Sequence, residues 1–235
     1  MIDSLYTNQR KKMEEKRDRF ELLTALYDAA LKGDVSSLKD LEQREKSILD
    51  RCSIEKSGHF TGSPLHVAVN LGHLEFTKEI LLRKPQLTEK VDHMRSTPLH
   101  LAAATKLDPS AQPGNSSAAN RQLEIVKALI EANDTMCLAR NKDGWNPLHV
   151  AAIKGEPYVL NELLQAQPQA ARELTNRGET VLHLCVKYKK TETLKSLVEA
   201  MDDVELLNAK DPLGNTILHL AVATRQLLVR QHHLI

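Results

Sequence analysis

The sequence predicts an all-α solenoid of helix-turn-helix repeats, and three features of its 235 residues carry that prediction. A Leu-His pair recurs at Leu65-His66, Leu99-His100, Leu148-His149, Leu182-His183 and Leu218-His219, at intervals of 34, 49, 34 and 36 residues. Two positions before each leucine stands a residue able to cap a helix: Ser63, Thr97, Asn146, Thr180 and Thr216. Aromatic residues make up only 3% of the chain while Leu and Ala dominate its apolar set, which suits small, closely packed helices better than a β-sandwich. A fixed period of this length marks a repeat architecture, in which each unit buries its apolar face against the next.

Each repeat can be justified element by element. The capping oxygen accepts an otherwise orphan amide of the first helical turn. Pro64, Pro98 and Pro147 follow three of the caps, at the first helical position, where a missing N–H does no harm. Small residues such as Ala102-Ala103 and Ala151-Ala152 come next, then a break, then a second apolar run: LEFTKEILL from Leu74, LEIVKALI from Leu123 and YVLNELL from Tyr158. Their i, i+3, i+4 spacing predicts a second, antiparallel helix. Short polar turns join the repeats, several with a Gly two positions before the cap, as in Asn141-Lys142-Asp143-Gly144-Trp145 and Asp211-Pro212-Leu213-Gly214-Asn215. These predict projecting β-turn fingers.

The interval of 49 is 34 plus 15, and the extra residues 106–120, KLDPSAQPGNSSAAN, read as a loop inserted between the two helices of one repeat. Such a loop is expected to be mobile and dispensable for folding. A degenerate copy of the repeat lies upstream in LYDAALKGDVSSLKDL from Leu26, with Gly33 matching Gly72 and Tyr27 in the histidine position. The expected organisation is a polar N-terminal helix or cap over 1–20 and a solenoid over 21–235. Its repeats span about 21–57, 58–91, 92–140 with the insert 106–120, 141–174, 175–210 and a shortened 211–235.

The fragments SPLHVAV at Ser63, TPLHLAA at Thr97 and NPLHVAA at Asn146 closely resemble the ankyrin consensus, whose period is about 33 residues. The resemblance runs from about Glu21 to the end of the chain. It implies an ankyrin solenoid that binds other proteins and carries no catalytic machinery. A narrower likeness lies in GETVLHLCVKY at Gly178 and LLNAKDPLGNTILHLAVATRQ at Leu206. These resemble plant ankyrin proteins of the accelerated-cell-death and PGG-domain type, in which repeats precede a bundle of membrane helices. That likeness implies a role in plant defence or stress signalling. The chain would then be a shortened form lacking the C-terminal membrane part, found in the cytoplasm or, in a full-length form, on the cytosolic face of the plasma membrane.

Composition narrows the function further. Lys and Arg total 32 against 31 Asp and Glu, so bulk charge draws the chain to neither nucleic acid nor acidic membranes. Three cysteines, Cys52, Cys137 and Cys185, show no CxxC or His/Cys spacing, so neither a disulfide framework nor a zinc site is indicated. Cys185 takes the place of a small helix residue, as a hydrophobe would. No phosphate-binding, nucleotide-binding, hydrolase, kinase or HExxH motif occurs. We therefore expect no catalytic residue, metal, cofactor, small-molecule substrate or nucleic-acid ligand.

Five of the ten histidines, His66, His100, His149, His183 and His219, recur once per repeat. A residue demanded by every repeat is expected to serve the repeat, as a largely buried neutral ring bonded to neighbouring finger backbone. His232-His233 is adjacent rather than i, i+4, poor spacing for a shared metal. Arg10-Lys11-Lys12 is followed at once by Glu14 and Glu15 and reads as a solvated helix face.

In a stack of helix pairs the fingertips and first-helix surfaces form a long concave face, the default binding site. Partner contact is expected at the fingertips from Met94, Arg95, Lys142, Asp143, Trp145, Arg177 and Glu179. The ends of the first helices add Lys154, Lys187 and Tyr188. Trp145 and Tyr188 are the expected anchors, since such side chains bury large area at little rotamer cost.

Overall fold

The computed structural model describes residues 2–51, 62–105, 118–201 and 203–223. Twelve α-helices occur among them and no strand. First helices are α1 (Ile2–Lys32), α3 (Pro64–Asn70), α5 (Pro98–Ala104), α7 (Pro147–Lys154), α9 (Val181–Lys187) and α12 (Ile217–Ala223). Second helices are α2 (Val35–Arg44), α4 (Leu74–Arg83), α6 (Ala118–Ala132), α8 (Pro157–Ala166) and α10 (Thr191–Ala200). In the inner layer α1 packs on α3, α3 on α5, α5 on α7, α7 on α9 and α9 on α12. The outer layer runs α2, α4, α6, α8, α10 in the same manner.

Between the layers lies one continuous core, in which Leu65, Leu99, Leu148 and Leu182 of the recurring pairs are buried beside Phe76, Ile80, Ile125, Leu129 and Leu163 of the second helices. Each fully buried leucine contributes about 1.5–3 kcal/mol. Ala68, Ala102-Ala103 and Ala151-Ala152 are fully buried between first helices, where only small residues let the helices approach closely.

The two helices of a pair are joined through a left-handed residue: Gly33, Gly72, Gly155 and, in the fifth repeat, Lys189 at φ 56°. In each of these turns the next amide closes back on the helix, as His73 N–H does on the Ala68 carbonyl at 2.9 Å and Lys190 N–H on that of Cys185 at 2.8 Å.

The structure alters three expectations. No break separates a cap at 1–20 from the first repeat, because α1 is continuous from Ile2 to Lys32. The last three residues of the expected insert, Ala118 to Asn120, belong to the first turn of α6; the rest of it, residues 106–117, lies outside the described residues. Finally, the links from second helix to finger are more than polar turns. They contain 3₁₀ turns at Ile48–Arg51, Pro85–Glu89, Asp134–Leu138 and Pro168–Ala171, and a short helix α11 (Val204–Leu207). Each described link drops an apolar residue into the core: Ile48, Leu87, Cys137, Ala170 and Leu206 are buried. Cys52, His232-His233 and the chain beyond Ala223 lie outside the described residues.

Candidate protein-binding surface

Four fingers, residues 92–96, 141–145, 175–179 and 211–215, share one hydrogen-bond plan. The first residue donates its N–H to the carbonyl of the fifth, at 2.8–3.0 Å, and accepts from the N–H of the fourth at 2.9–3.0 Å. Its side-chain oxygen accepts from the third and fifth amides: Asp92 from Met94 and Ser96, Asn141 from Asp143 and Trp145, Thr175 from Arg177 and Glu179, Asp211 from Leu213 and Asn215. This is the local bonding that makes Asp, Asn and Thr turn formers. The fourth residue must be left-handed, and is Gly144 (φ 75°), Gly178 (68°) and Gly214 (80°) in three fingers but Arg95 (58°) in the other.

Adjacent fingers are tied backbone to backbone. Lys142 N–H donates to the Met94 carbonyl at 2.9 Å, and Asn176 N–H reaches that of Asp143 at 3.4 Å. The Asn176 amide also donates to the Lys142 carbonyl at 2.9 Å. Asn176 was not singled out by the sequence analysis, and its role is visible only once two fingers lie side by side.

The recurring histidines fasten these fingers to the helices. Each cap's backbone N–H donates to the ring Nδ1 three residues on, at 3.1 Å for His66, His100 and His149 and 3.3 Å for His183 and His219. That fixes Nδ1 as acceptor and leaves Nε2–H as donor. Nε2 then meets the carbonyl of the last residue of the following finger, Ser96 from His66 (3.1 Å), Trp145 from His100 (2.9 Å) and Asn215 from His183 (3.1 Å), whereas His149 bonds Glu173 (3.1 Å), which lies just ahead of the next finger. Tyr27 does the same in the degenerate first repeat, its hydroxyl donating to the Gly62 carbonyl at 2.9 Å.

Burial lowers the pKa of His66 and His100 and drives that of His149 down to about 4, although each carbonyl contact favours the cation. His219 departs from the expected burial. It is exposed, because no later finger covers it among the described residues. Burial pushes the Cys137 and Cys185 thiols up to about 11 and about 12, the opposite of what a nucleophile requires. No cluster able to hold a metal occurs among the described residues.

The expected contact residues fall into three groups. Met94, Arg95, Lys142, Asp143 and Arg177 are exposed on the fingers. Lys154, Lys187 and Tyr188 are exposed at the ends of α7 and α9. Trp145 and Glu179 occupy the inner, fifth position of their fingers and are half-buried. Trp145 packs against the core, so much of its area is already spent on the fold. Glu179 accepts from Lys187 Nζ at 2.6 Å, a contact that brings the base of a finger and the end of a first helix onto one surface. Lys189 and the fingertip Leu213, 86% exposed, escaped the sequence reading.

Known proteins agree with this architecture. The family description "Ankyrin repeats" matches residues 115–172 and 157–231. Mouse neurogenic locus notch homolog protein 1 is 28% identical over 152 residues, covering 59% of this chain and 6% of its own length. Human B-cell lymphoma 3 protein is 28% identical over 164 residues, 66% of this chain and 33% of that protein. Human Rabankyrin-5 is 27% identical over 182 residues, 77% and 14% respectively. The chain thus spans well under two thirds of these relatives. It carries ankyrin repeats, and its fold is an all-α ankyrin solenoid.

Proposed function

We propose that this protein is an interaction scaffold or regulator that holds a protein partner across its fingers and first-helix ends. The observation that carries this reading is the contrast within each finger. The inner residues Ser96, Trp145 and Asn215 are held by histidine bonds to their carbonyls and Asn176 ties finger 175–179 to its neighbour, while the tips Met94, Lys142, Asp143 and Arg177 face solvent on a chain of fingers joined by main-chain bonds. A preformed row of exposed side chains binds without a large ordering cost.

Tyr188, 42% exposed, is the aromatic anchor best suited to partner contact. The reading is tested by identifying partners through proximity labelling with the full chain and measuring their affinity for Tyr188→Ala and for a Lys142→Ala, Arg177→Ala double variant. Loss of roughly tenfold or more, the scale of a hot-spot residue, with unchanged helicity, is expected. Partners that bind both variants as well as the parent would end the proposal.

The likeness of GETVLHLCVKY to plant ankyrin proteins of the PGG type favours one setting for this scaffold, a cytosolic module in defence or stress signalling whose full-length form is tethered to a membrane. No helix of the described residues is long and apolar enough to cross one. Sequencing the full transcript for downstream apolar segments tests that setting.

A further inference from the structure

Fingers and helix turns bound the same surface from opposite sides, because each first helix runs from its finger to its turn. Arg95, Lys142 and Arg177 stand exposed on the finger side, Lys154 and Lys189 on the turn side. None of these five cations forms an ion pair among the described residues. The acids nearby are mostly committed: the Asp92 carboxylate is held by the Met94 and Ser96 amides, both at 2.8 Å, and Glu179 is neutralised by Lys187. Asp143 is the exposed exception.

Two of the cations occupy positions that disfavour them. Arg95 sits at φ 58° where three other fingers have Gly, and Lys189 at 56° where three other helix turns have Gly. An L side chain in this region is strained, and glycine would relieve it. Such outliers concentrate at functional surfaces. Here both replacements of Gly are long cations, and both border the same surface.

Resting on the docking role proposed above, we infer that this surface across the third to fifth repeats takes an extended acidic segment of a protein partner, with Arg95 and Lys189 as opposed cationic contacts. Met94 and Tyr188 are exposed and directly precede Arg95 and Lys189 in the chain, so each cation has an apolar neighbour, which suits a peptide that alternates acidic and apolar side chains. A nucleic acid fits less well. Asp143 projects from the finger between those of Arg95 and Arg177 and would oppose a phosphate backbone, and the chain's net charge of +1 supplies no long-range field.

The test is a selection of short random peptides displayed on phage against the immobilised full chain, followed by affinity measurement. Enriched peptides should be rich in Asp and Glu and should weaken steeply as salt rises. Arg95→Gly and Lys189→Gly should each weaken them roughly threefold and together roughly tenfold, while the melting temperature stays level or rises. A merely structural role cannot give weaker binding with equal or greater stability. Neutral or basic selected peptides, no enrichment, or acidic peptides indifferent to both glycine variants would overturn the inference. So would preferential binding of a single-stranded oligonucleotide of matched charge. A true partner that depends on Tyr188 but not on Arg95 or Lys189 would leave the docking role intact while removing the acidic ligand; independence from all three would remove both.

Discussion

Along the outer helices Arg83 lies between Glu42 of the preceding repeat and Glu79 of its own, Lys39 reaches Glu79 at 3.4 Å, and Lys127 reaches Glu124 and Glu162 at 3.6 Å each. On the finger side Arg95, Lys142 and Arg177 make no such pairs among the described residues, and adjacent repeats are joined instead by His and Asn side chains bonded to carbonyls. The outer layer spends its charges on the register between repeats. The finger side achieves register mainly with neutral bonds, Arg140 bonding Leu174 and pairing with Glu173 being the charged exception, and leaves Arg95, Lys142 and Arg177 available. Surface ion pairs contribute only about 0–1 kcal/mol each, whereas a buried neutral network is costly to break, so the finger side should govern stability even though it is also the candidate binding surface.

Acid is the strongest way to break this contrast. Burial lowers the pKa of His66, His100 and His149 from the usual value of 6.5, that of His149 to about 4. The unfolded chain therefore binds more protons in this range. Stability is complete above about pH 6.5 and is lost as pH falls toward about 4. His149 alone accounts for on the order of 3 kcal/mol. Glu79, held below its ordinary 4.5 by hydrogen bonding from Arg83, keeps its contribution until the pH drops below that value, so the two networks fail in different windows. Denaturant melts at about pH 7.5 and about pH 5 should show the histidine loss; equal midpoints would mean that the rings do not hold the stack.

The architecture was legible because each repeat states it again: five caps, five Leu-His pairs and apolar runs at helical spacing. The same repetition let the histidines be assigned to structure. What did not show were features made by two repeats together. The bond from Asn176 to Lys142 needs neighbouring fingers, and the half-burial of Trp145 comes from packing on the assembled core. The linking 3₁₀ turns were missed because a run such as Asp134–Leu138 is too short for any helical period. The strain at Arg95 could have been seen by aligning it with Gly144, Gly178 and Gly214, and that comparison with neighbouring repeats was the available signal for a residue with a purpose of its own.

Exchanging the left-handed residues sharpens the contrast within the finger side itself. At Gly144 a Cβ would fall on the Asn176 side chain and within 2.6 Å of its backbone nitrogen. Gly144→Ala therefore combines a left-handed penalty of about 1–2 kcal/mol with displacement of the inter-finger bond, and should cost about 2–3 kcal/mol in urea unfolding. Arg95→Gly should do the reverse and gain up to about 1 kcal/mol, less whatever the glycine adds to the entropy of the unfolded chain. If both changes destabilise alike, Arg95 is held by contacts that outweigh its conformation, and its case as a binding residue falls.

The smallest effects distinguish the two sides by charge alone. Arg83 is about three-quarters buried, at 25% side-chain exposure between carboxylates at 20% and 21%. Arg83→Gln leaves two outer-layer acids facing each other, yet water still screens them, so a loss of about 1 kcal/mol is expected. Lys142 is exposed and forms no ion pair among the described residues, and Lys142→Gln should change stability by no more than about 0.5 kcal/mol. Binding should reverse the order: Arg83→Gln leaves partner affinity unchanged, while Lys142→Gln lowers it and flattens its salt dependence, as removal of a rim charge does. Parallel melts and salt titrations of the two variants decide the matter. Were Arg83→Gln to weaken binding as much as Lys142→Gln, the partner would be responding to overall charge, and the division of labour between the two layers would not exist.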